Sequence, residues 1–366
     1  MAGVKSLRQS CRTDGLLAAA NATARRAAPE NDVSPSDRTL ADAVGSLRRS
    51  GLLAAPLPRA LGGVGLGLPA EAGSRLCAIL RLLGSGSLAL GRLYDHHVNV
   101  IHLICAHGTR EQTEQLAVDV RAGQLFGFWH LEDCPDTLVT TRQGSDTIVE
   151  GPGFCATGSS LVNRPLAAAR VRSGEIVLIS PWRLIRQPVE RREGAARISL
   201  ADVRLSAGDL VGILPPNGLD PVLSASIRGS AAVHLGLIES VLEELSEHQR
   251  AVGQEHDPHR LARLGEAAVA VETARRLVER AGSADGPGSA GRAASSANLA
   301  GLAVDKAGSC LQSIAHGAGG PAAGEPDTVL EKLSRKLEEA REPWVGDRLV
   351  PPVLAPHLPP PITPCH

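Results

Sequence analysis

The pattern of apolar residues changes character twice along this chain, and these two changes constrain the fold more than any other feature. Between residues 126 and 210, short β-branched or alternating runs are separated by Gly, Ser, Pro and Asp, which is typical of strands and turns. The clearest runs are DTIVEG, LAAARV, EIVLIS and ARISLADVRL. Helical spacing precedes and follows this stretch. We therefore predict a β-domain inserted between two helical regions.

Helical spacing is strongest after the β-rich stretch. Apolar residues recur there every three or four positions, which predicts four amphipathic helices and hence a four-helix bundle. The runs contain Val233, Leu237, Ile238, Val241, Leu242 and Leu245; Leu261, Leu264, Ala268, Val271 and Val278; Leu299, Leu302, Leu311 and Ile314; and Leu330, Leu333, Leu337 and Ala340. Near the N-terminus, Ser36 or Asp37 is expected to cap a helix that contains Leu40, Val44 and Leu47.

Aromatic residues make up only 2% of the chain, yet three of them fall within four positions. Phe126, Phe128 and Trp129 open the β-rich stretch. Where aromatic residues are this rare, we expect a cluster to line a flat, π-bearing ligand rather than to fill the core. The interior is then packed mainly by Leu, Val, Ile and Ala, which suits closely approaching helices.

Charge and cysteine content exclude several classes of protein. The chain has 38 Lys and Arg against 39 Asp and Glu, so no overall charge favours nucleic acid or an anionic membrane. Its seven Cys form no C-x-x-C pair, which argues against a zinc ribbon and against a disulfide framework. No stretch approaches the roughly 20 apolar residues of a membrane span, and the N-terminus lacks the apolar core of a secretion signal. We predict a cytoplasmic protein.

Two further features invite a binding site but are interpreted as structural. His97, His102 and His107 recur at five-residue intervals, which turns them off a common helical face, whereas a helical pair of zinc ligands usually needs a spacing of about four. We predict no metal site there. The run PLPRALGGVGLGLP follows no strand pattern and leads to no GK[ST] sequence, so it is predicted to be a turn rather than a nucleotide-binding loop.

Several short motifs resemble those of the acyl-CoA dehydrogenase family and follow the same order along the chain. They are PLPRALGGVG, GTREQ, FGFWHLED, GFCATGSSLVN and ISLADVRLSAGDLVG. Each motif is short, and their collinear order over roughly residues 36–345 makes the resemblance specific. Leu131 and Glu132 match the family's "altEp" element, and Thr157, Gly158 and Ser159 match its "tGa" element.

The pattern and the resemblance together predict an α+β fold that is mainly α-helical. It comprises an N-terminal α-helical domain at 36–124, a central antiparallel β-domain at 125–212 and a C-terminal four-helix bundle at 213–345. Residues 1–35 are expected to form an N-terminal arm that is either helical or poorly ordered. Residues 346–366 form a Pro-rich tail that cannot continue a helix, because proline lacks the amide donor.

The resemblance implies FAD held between the β-domain and the bundle, with a CoA thioester stacked on the flavin. The residues that match flavin-lining positions are Trp129, His130, Leu131, Thr157, Gly158 and Ser159. Thr157 or Ser159 could donate a hydrogen bond to flavin N5 or satisfy a strand end, and Trp129 could pack between domains instead. Arg228 resembles an arginine near the acyl-CoA, and Arg250 one that reaches FAD phosphates, although solvated helix arginines are common.

The catalytic base has two candidate positions. The sequence HGAGGPAAGEPDTVLEKLSRKLEEA resembles the loop and helix that carry a glutamate in the family, with Gly319 and Gly320 at the cofactor. Counting forward from the glycines points to Glu325, and counting back from the helix points to Asp327. Both residues could instead belong to a turn and an N-cap. Lys336 stands where the family has an Asp.

The activity that the resemblance implies is α,β-dehydrogenation of an acyl-CoA thioester by a homodimer or homotetramer, with an electron-transfer flavoprotein as acceptor. In that reaction a carboxylate removes the α-proton, and the flavin carries the hydride chemistry. Two alternatives remain open. One is a flavin-dependent monooxygenase on the same scaffold, which would need no carboxylate base. The other is a non-catalytic relative that binds an acyl group or a partner protein.

Overall fold

Two helical regions enclose a β-domain in the computed structural model of this chain. The structure describes residues 2–28, 36–68, 70–131, 139–143, 146–150, 154–157, 161–170, 176–180, 190–192, 195–198, 203–214, 221–253, 256–283, 290–317 and 328–340. The helices in these ranges are α1 Ala2–Ala27, α2 Asp37–Arg49, α3 Ala70–Gly86, α4 Leu88–His107, α5 Arg110–Arg121, α6 Pro221–Ala251, α7 Pro258–Gly282, α8 Ala290–Gly317 and α9 Thr328–Ala340. The predicted order of helices, strands and helices is confirmed.

The β-domain contains two sheets. Its strands are β1 Phe126–Leu131, β2 Val139–Gln143, β3 Asp146–Glu150, β4 Phe154–Thr157, β5 Arg164–Arg170, β6 Ile176–Ile179, β7 Glu190–Arg192, β8 Ala195–Ile198, β9 Val203–Leu205 and β10 Leu210–Leu214. The larger sheet has the order β10-β6-β5-β1-β4-β8-β7, and the smaller sheet has the order β2-β3-β9. Strand pairs are antiparallel as predicted, except that β1 and β5 run parallel. The parallel pair was not predicted, because the pattern along a strand does not specify its neighbours.

Helix α2 begins at the predicted cap. The Ser36 side chain accepts a hydrogen bond from the Thr39 N–H at 3.2 Å, so Ser36 rather than Asp37 is the N-cap residue. The helix then buries the predicted Leu40, Val44 and Leu47.

Helix α1 lies in the segment expected to form an arm. Its Leu16, Ala20 and Ala27 are buried in the main hydrophobic core, and the helix packs on α3. Of the two forms expected for residues 1–35, the structure shows the helical one over Ala2–Ala27. Among the helices that the structure describes, none is both long enough and apolar enough to cross a membrane.

Helices α3, α4 and α6 cross so closely that only glycine fits at the crossings. At Gly236 of α6, an added Cβ atom would lie 1.9 Å from the Arg81 carbonyl oxygen of α3. At Gly84 of α3, it would lie 2.1 Å from the Val233 carbonyl oxygen of α6. Gly91 of α4 abuts both Val233 and Gly84. Because these backbones touch, the N-terminal helices and the C-terminal bundle share one hydrophobic core.

The bundle buries more alanine than its leucine pattern predicts. The predicted core residues of α6 and α9 are buried, for example Val241 and Leu333. The prediction is wrong for Leu261, Leu299 and Leu302, which are 47%, 38% and 63% exposed. Most buried residues of α7 and α8 are alanines instead: Ala267, Ala274, Ala281, Ala294, Ala297, Ala300, Ala307 and Ala315. Short side chains let these helices approach closely, so the contact leaves some leucines outside.

The interpretation of the aromatic cluster is wrong for two of its three members. Phe126 and Phe128 are only 4% and 6% exposed. They belong to a second hydrophobic core with Val100 of α4 and Leu116 of α5, rather than to a ligand wall. The side chain of Trp129 lies outside the described part of the structure. The two phenylalanines therefore fix β1 to the helices behind it.

The GTREQ motif joins the N-terminal helices to the β-domain. The Gln112 Nε2 donates hydrogen bonds to the carbonyl oxygens of Gly208 at 2.9 Å and of Leu210 at 3.0 Å. Its Oε1 accepts from the Thr109 N–H at 2.8 Å, and the Thr109 side chain accepts from the Gln112 N–H. This reciprocal pair is a capping box. One glutamine thus caps α5 and also holds the start of β10.

Replacing Gly236 by Ala is expected to lower the free energy of unfolding by about 3 kcal/mol, because the new methyl group overlaps a backbone carbonyl that cannot move aside. Gly301 of α8 is the matched control, since an added Cβ there meets nothing within 4 Å. Gly301→Ala is expected to raise the free energy of unfolding by roughly 0.5–1 kcal/mol. Urea unfolding followed by circular dichroism measures both. Similar effects in the two variants would contradict the close crossing.

Two substitutions separate the roles of Gln112. Gln112→Glu keeps the capping acceptor but removes both donors, and it is expected to cost about 1–2 kcal/mol. Gln112→Ala also removes the cap and is expected to cost about 1 kcal/mol more. Hydrogen exchange at the amides of Leu210–Leu214 should accelerate in both variants, whereas exchange in the first turn of α5 should accelerate only in Gln112→Ala. Unchanged exchange in β10 of the Glu variant would show that the joint is held by other contacts.

Candidate functional site

The strand register brings the two predicted flavin-lining motifs side by side. The motif residues at 129–131 end β1, and Thr157 ends β4. His130 pairs with Cys155, two residues before Thr157, so β4 runs antiparallel beside β1 after the chain has passed through β2 and β3. On its other side, β4 pairs Thr157 with Ala195 of β8. Two segments that are distant in sequence therefore end on neighbouring strands of one sheet.

The other motif residues lie outside the described part of the structure. Their assignments as cofactor-lining or catalytic residues stay predictions. They are Glu132, Gly158, Ser159, Gly319, Gly320, Glu325 and Asp327.

The two arginines predicted at the substrate and the cofactor have opposite environments. Arg228 is only 3% exposed, and its Nη1 donates a hydrogen bond to the Ala281 carbonyl oxygen of α7 at 3.3 Å. Its charge acts on Asp95 and His102 of α4. Arg250 is exposed in the last turn of α6. Arg228 is therefore an interior cation where α4, α6 and α7 meet, and Arg250 faces solvent.

A run of polar side chains is buried in the middle of α4. Asp95, His96, His97, Asn99 and His102 are each no more than 6% exposed. Asp95 and Asn99 were not predicted from the sequence, where only the histidines of this helix stood out. The signal was present, since DHHVN interrupts a largely apolar sequence, LALGRLYDHHVNVIHLICAH. Buried polar groups normally have hydrogen-bond partners, so each of these side chains needs an explanation.

Two histidines of α4 are explained by backbone contacts. The His97 Nε2 donates to the Leu53 carbonyl oxygen at 2.9 Å, and its Nδ1 accepts from the Phe126 N–H at 3.1 Å. The His102 Nε2 donates to the Leu66 carbonyl oxygen at 3.1 Å. Both rings are therefore core histidines that tie α4 to the chain between α2 and α3, and His97 also ties it to β1.

A third histidine, His234 of α6, is held in the same way. Its Nδ1 donates to the Ser230 carbonyl oxygen at 2.9 Å, which leaves Nε2 to accept from the Arg92 guanidinium at 3.2 Å. That guanidinium also donates to the Glu339 carbonyl oxygen at 3.2 Å. The neutral ring thereby links α4, α6 and α9.

Asp95 differs from these histidines because its carboxyl group has no hydrogen-bond partner among the described residues. It is 1% exposed, and neither Oδ1 nor Oδ2 forms a hydrogen bond of normal geometry. The Nδ2 of Asn99, one turn along α4, likewise forms no hydrogen bond of normal geometry with the described residues. Burial raises the pKa of the Asp95 carboxyl well above its usual range, and the Asn99 side chain and the Arg228 charge offset only part of that rise. Gly229 of α6 packs against it, since a Cβ there would lie 2.1 Å from Oδ1.

No family model and no curated protein matches the sequence, whereas solved structures match almost its whole length. Butyryl-CoA dehydrogenase from Megasphaera elsdenii aligns with a TM-score of 0.68 at 15% identity, over 90% of this chain and 93% of that chain. Dibenzothiophene monooxygenase (TdsC) from Paenibacillus sp. A11-2 aligns with a TM-score of 0.65 at 16% identity, over 90% and 92%. The ChsE4-ChsE5 complex from Mycobacterium tuberculosis gives 0.69 at 16%, over 90% and 92%.

The chain has the acyl-CoA dehydrogenase fold. The aligned share is large enough to include both helical regions and the β-domain between them. At about 15% identity the backbone course is what the proteins share, so the side chains of a site must be judged from this chain alone. Within this fold, the antiparallel register places the end of β1 at Leu131 beside the start of β4 at Phe154.

The free energy of unfolding is expected to decrease as the pH falls from 6.5 to 4. Burial lowers the pKa of His97, His102 and His234 to about 4, with Arg92 also lowering that of His234 and Arg228 that of His102. In the unfolded chain these rings titrate near 6.5. The unfolded state therefore binds protons that the folded state does not, so stability is complete above pH 6.5 and is lost toward pH 4.

Burial raises the pKa of the Asp95 carboxyl, which acts in the opposite direction and reduces the effect of the three rings. Urea unfolding at a series of pH values is expected to give a slope of about 3 kcal/mol per pH unit in this window. His102→Gln removes one titrating ring, so it should reduce the slope by roughly 1.4 kcal/mol per pH unit. A free energy of unfolding that stays constant between pH 6.5 and 4 would contradict the buried, neutral state of the rings.

Proposed function

We propose that this protein is a flavin-dependent oxidoreductase that removes hydrogen from the α and β carbons of an acyl-CoA thioester. The observation that carries the proposal is the placement of the Trp129–Leu131 segment beside the β4 segment that ends at Thr157, within an acyl-CoA dehydrogenase fold. The structural neighbours support it, since one is a butyryl-CoA dehydrogenase and another was solved with bound FMN.

In this proposal, the ends of β1 and β4 hold the flavin ring, which supplies a hydride acceptor when it is bound. One side of the ring is lined by Trp129, His130 and Leu131. The adjacent side is lined by Thr157, Gly158 and Ser159. A hydroxyl group at this edge donates a hydrogen bond to the ring. Gly319 and Gly320 leave room for the cofactor on the bundle side.

The acid–base step belongs to a carboxylate that precedes α9. Glu325 or Asp327 removes the α-proton of the substrate, and hydrogen-bond donors near the thioester oxygen stabilise the charge that develops there. The buried cation Arg228 of α6 is the residue proposed to bind the acyl-CoA substrate.

We propose FAD rather than FMN, and an assembly of two or four copies. The support is Arg250, an exposed guanidinium at the end of α6 that can bind the diphosphate of FAD in its own or a second copy. Exposed Leu299 and Leu302 of α8 give the bundle an apolar surface for such a copy. An electron-transfer flavoprotein is the proposed acceptor.

We also propose a cytoplasmic location. Two cysteines that the structure describes support it, because Cys105 and Cys310 are free thiols. Free thiols persist in a reducing compartment.

The absorbance spectrum of the purified protein tests this proposal. We expect a visible flavin band, and release of the cofactor followed by chromatography should identify FAD. Anaerobic addition of acyl-CoA should bleach the band. Colourless protein that cannot be reconstituted with FAD or FMN would overturn the proposal. Bleaching only by an external reductant, followed by oxygen-dependent product formation, would instead indicate a monooxygenase.

Separate replacement of Glu325 by Gln and of Asp327 by Asn identifies the base. The variant that lacks it is expected to bleach about 10²- to 10⁴-fold more slowly with acyl-CoA, while the other variant bleaches like the wild type. Glu331→Gln is the control, since Glu331 is exposed in the first turn of α9. An unchanged rate in both test variants would exclude both residues.

A further inference from the structure

Four polar side chains that the proposed function does not use converge between α8 and α9. Gln312 and His316 lie one turn apart on α8, and Ser334 and Glu338 lie one turn apart on α9. Gln312 and Ser334 are only 5% and 8% exposed, whereas the side chains of His316 and Glu338 are 60% and 56% exposed. This α8–α9 cluster is therefore buried on one side and open to solvent on the other.

The polar atoms of the α8–α9 cluster form a compact group of four. The His316 Nε2 lies 2.6 Å from the Ser334 Oγ and 3.6 Å from the Glu338 Oε1. The Gln312 Nε2 lies 2.7 Å from the His316 Nε2, 2.7 Å from the Ser334 Oγ and 3.5 Å from the Glu338 Oε1. The Ser334 Oγ lies 3.4 Å from the Glu338 Oε1. Each atom is thus within 3.6 Å of the other three, as the corners of a small tetrahedron are.

Hydrogen bonds alone leave acceptors of this cluster unused. A neutral imidazole nitrogen can accept only one hydrogen bond, yet the Gln312 amide and the Ser334 hydroxyl both lie close to the His316 Nε2. The Gln312 Oε1 is buried and has no hydrogen-bond partner among the described residues. Reversing the amide exchanges Oε1 and Nε2, which turns the oxygen into the cluster without adding an unpartnered amide atom. All four side chains can then direct a lone pair to one centre.

The size and the chemistry of this centre fit a zinc ion. Zinc binds four nitrogen or oxygen ligands at about 2.1 Å, which places the ligands of a tetrahedral site roughly 3.4 Å apart. Three of the separations in the cluster are already 3.4, 3.5 and 3.6 Å. The other three are hydrogen bonds that would open by about 0.7–0.8 Å around the ion. The imidazole favours zinc over Mg²⁺ and Ca²⁺, which prefer oxygen ligands only.

We propose that Gln312, His316, Ser334 and Glu338 form a zinc site that fastens α9 to α8. The exposed faces of His316 and Glu338 give the ion a path from solvent. Only one imidazole and one carboxylate contribute, so we expect a dissociation constant in the micromolar range rather than the tighter binding of a site rich in cysteine. The inference is independent of the proposed function, since neither a flavin nor an acyl-CoA enters it.

Calorimetric titration with ZnCl2 tests the inference on the intact, purified protein, after treatment with EDTA and dialysis. The wild type should bind zinc in the micromolar range, and His316→Ala should lose this binding event. His259→Ala is the matched control, because His259 is an exposed histidine in the first turn of α7, and it should bind zinc like the wild type. MgCl2 should give no comparable binding.

Two further variants test the ligand set. Gln312→Glu replaces the amide by an anionic group of the same size, so it should tighten zinc binding about tenfold or more. Glu338→Gln removes the carboxylate charge and should weaken zinc binding about tenfold or more. If Gln312→Glu does not fold, Glu338→Gln tests the same ligand set at an exposed position.

Hydrogen exchange tests the proposed link between the helices. Zinc should slow exchange at the amides of α9 in the wild type, because an ion bound to both helices opposes local opening of α9. The same zinc concentration should leave exchange in α9 of His316→Ala unchanged.

The outcomes separate this inference from the proposed function. Wild-type protein that does not bind zinc, or that binds it no more tightly than His316→Ala does, overturns the inference. Zinc affinity that is unchanged in both Gln312→Glu and Glu338→Gln also overturns it, as does zinc binding that leaves exchange in α9 unaffected. Protein that binds zinc as expected but takes up no flavin contradicts only the proposed function.

Discussion

Backbone contact between helices at glycine is the constraint on which the rest of this structure depends. Gly84 of α3 and Gly236 of α6 each lie against a carbonyl of the other helix, and Gly91 brings α4 into the same crossing. This contact merges the helices before the β-domain with the helices after it into one core. The β-domain, inserted between them in sequence, is thereby held at both of its ends by a single helical body.

Helix α4 is the centre of that body. Its polar residues point to different neighbours: His97 and His102 bind backbone carbonyls beyond α2, His97 also binds β1, and Asp95 faces α6. His97, His102 and His234 have hydrogen-bond partners within the fold, whereas the Asp95 carboxyl and the Asn99 Nδ2 have none of normal geometry among the described residues. Buried polar groups that have hydrogen-bond partners within the fold contribute to its stability. Buried polar groups that lack such partners are the better candidates for a functional role.

The sequence predicted local structure well and long-range placement poorly. Period and turn residues were enough for the helix–strand–helix order and for the cap at Ser36. The interpretation of Phe126 and Phe128 was wrong, because a short aromatic cluster in the sequence does not show whether helices will cover its side chains. Leu302 was wrongly predicted to be buried, because the buried residues of its helix are mostly alanines. Asp95 was missed, because the sequence alone does not show whether a polar residue will have a hydrogen-bond partner. The parallel partner of β1 likewise depends on how distant segments meet.

The two hydrogen bonds of His97 also determine what this ring cannot do. Its Nδ1 accepts from a backbone amide and its Nε2 donates to a backbone carbonyl. A backbone amide can only donate a hydrogen bond, and a backbone carbonyl can only accept one. The imidazole is therefore locked in one tautomer and cannot relay a proton from one side to the other. Proton conduction through this turn of α4, from the sheet toward Asp95, is closed. A proton that reaches or leaves Asp95 has to travel by another route.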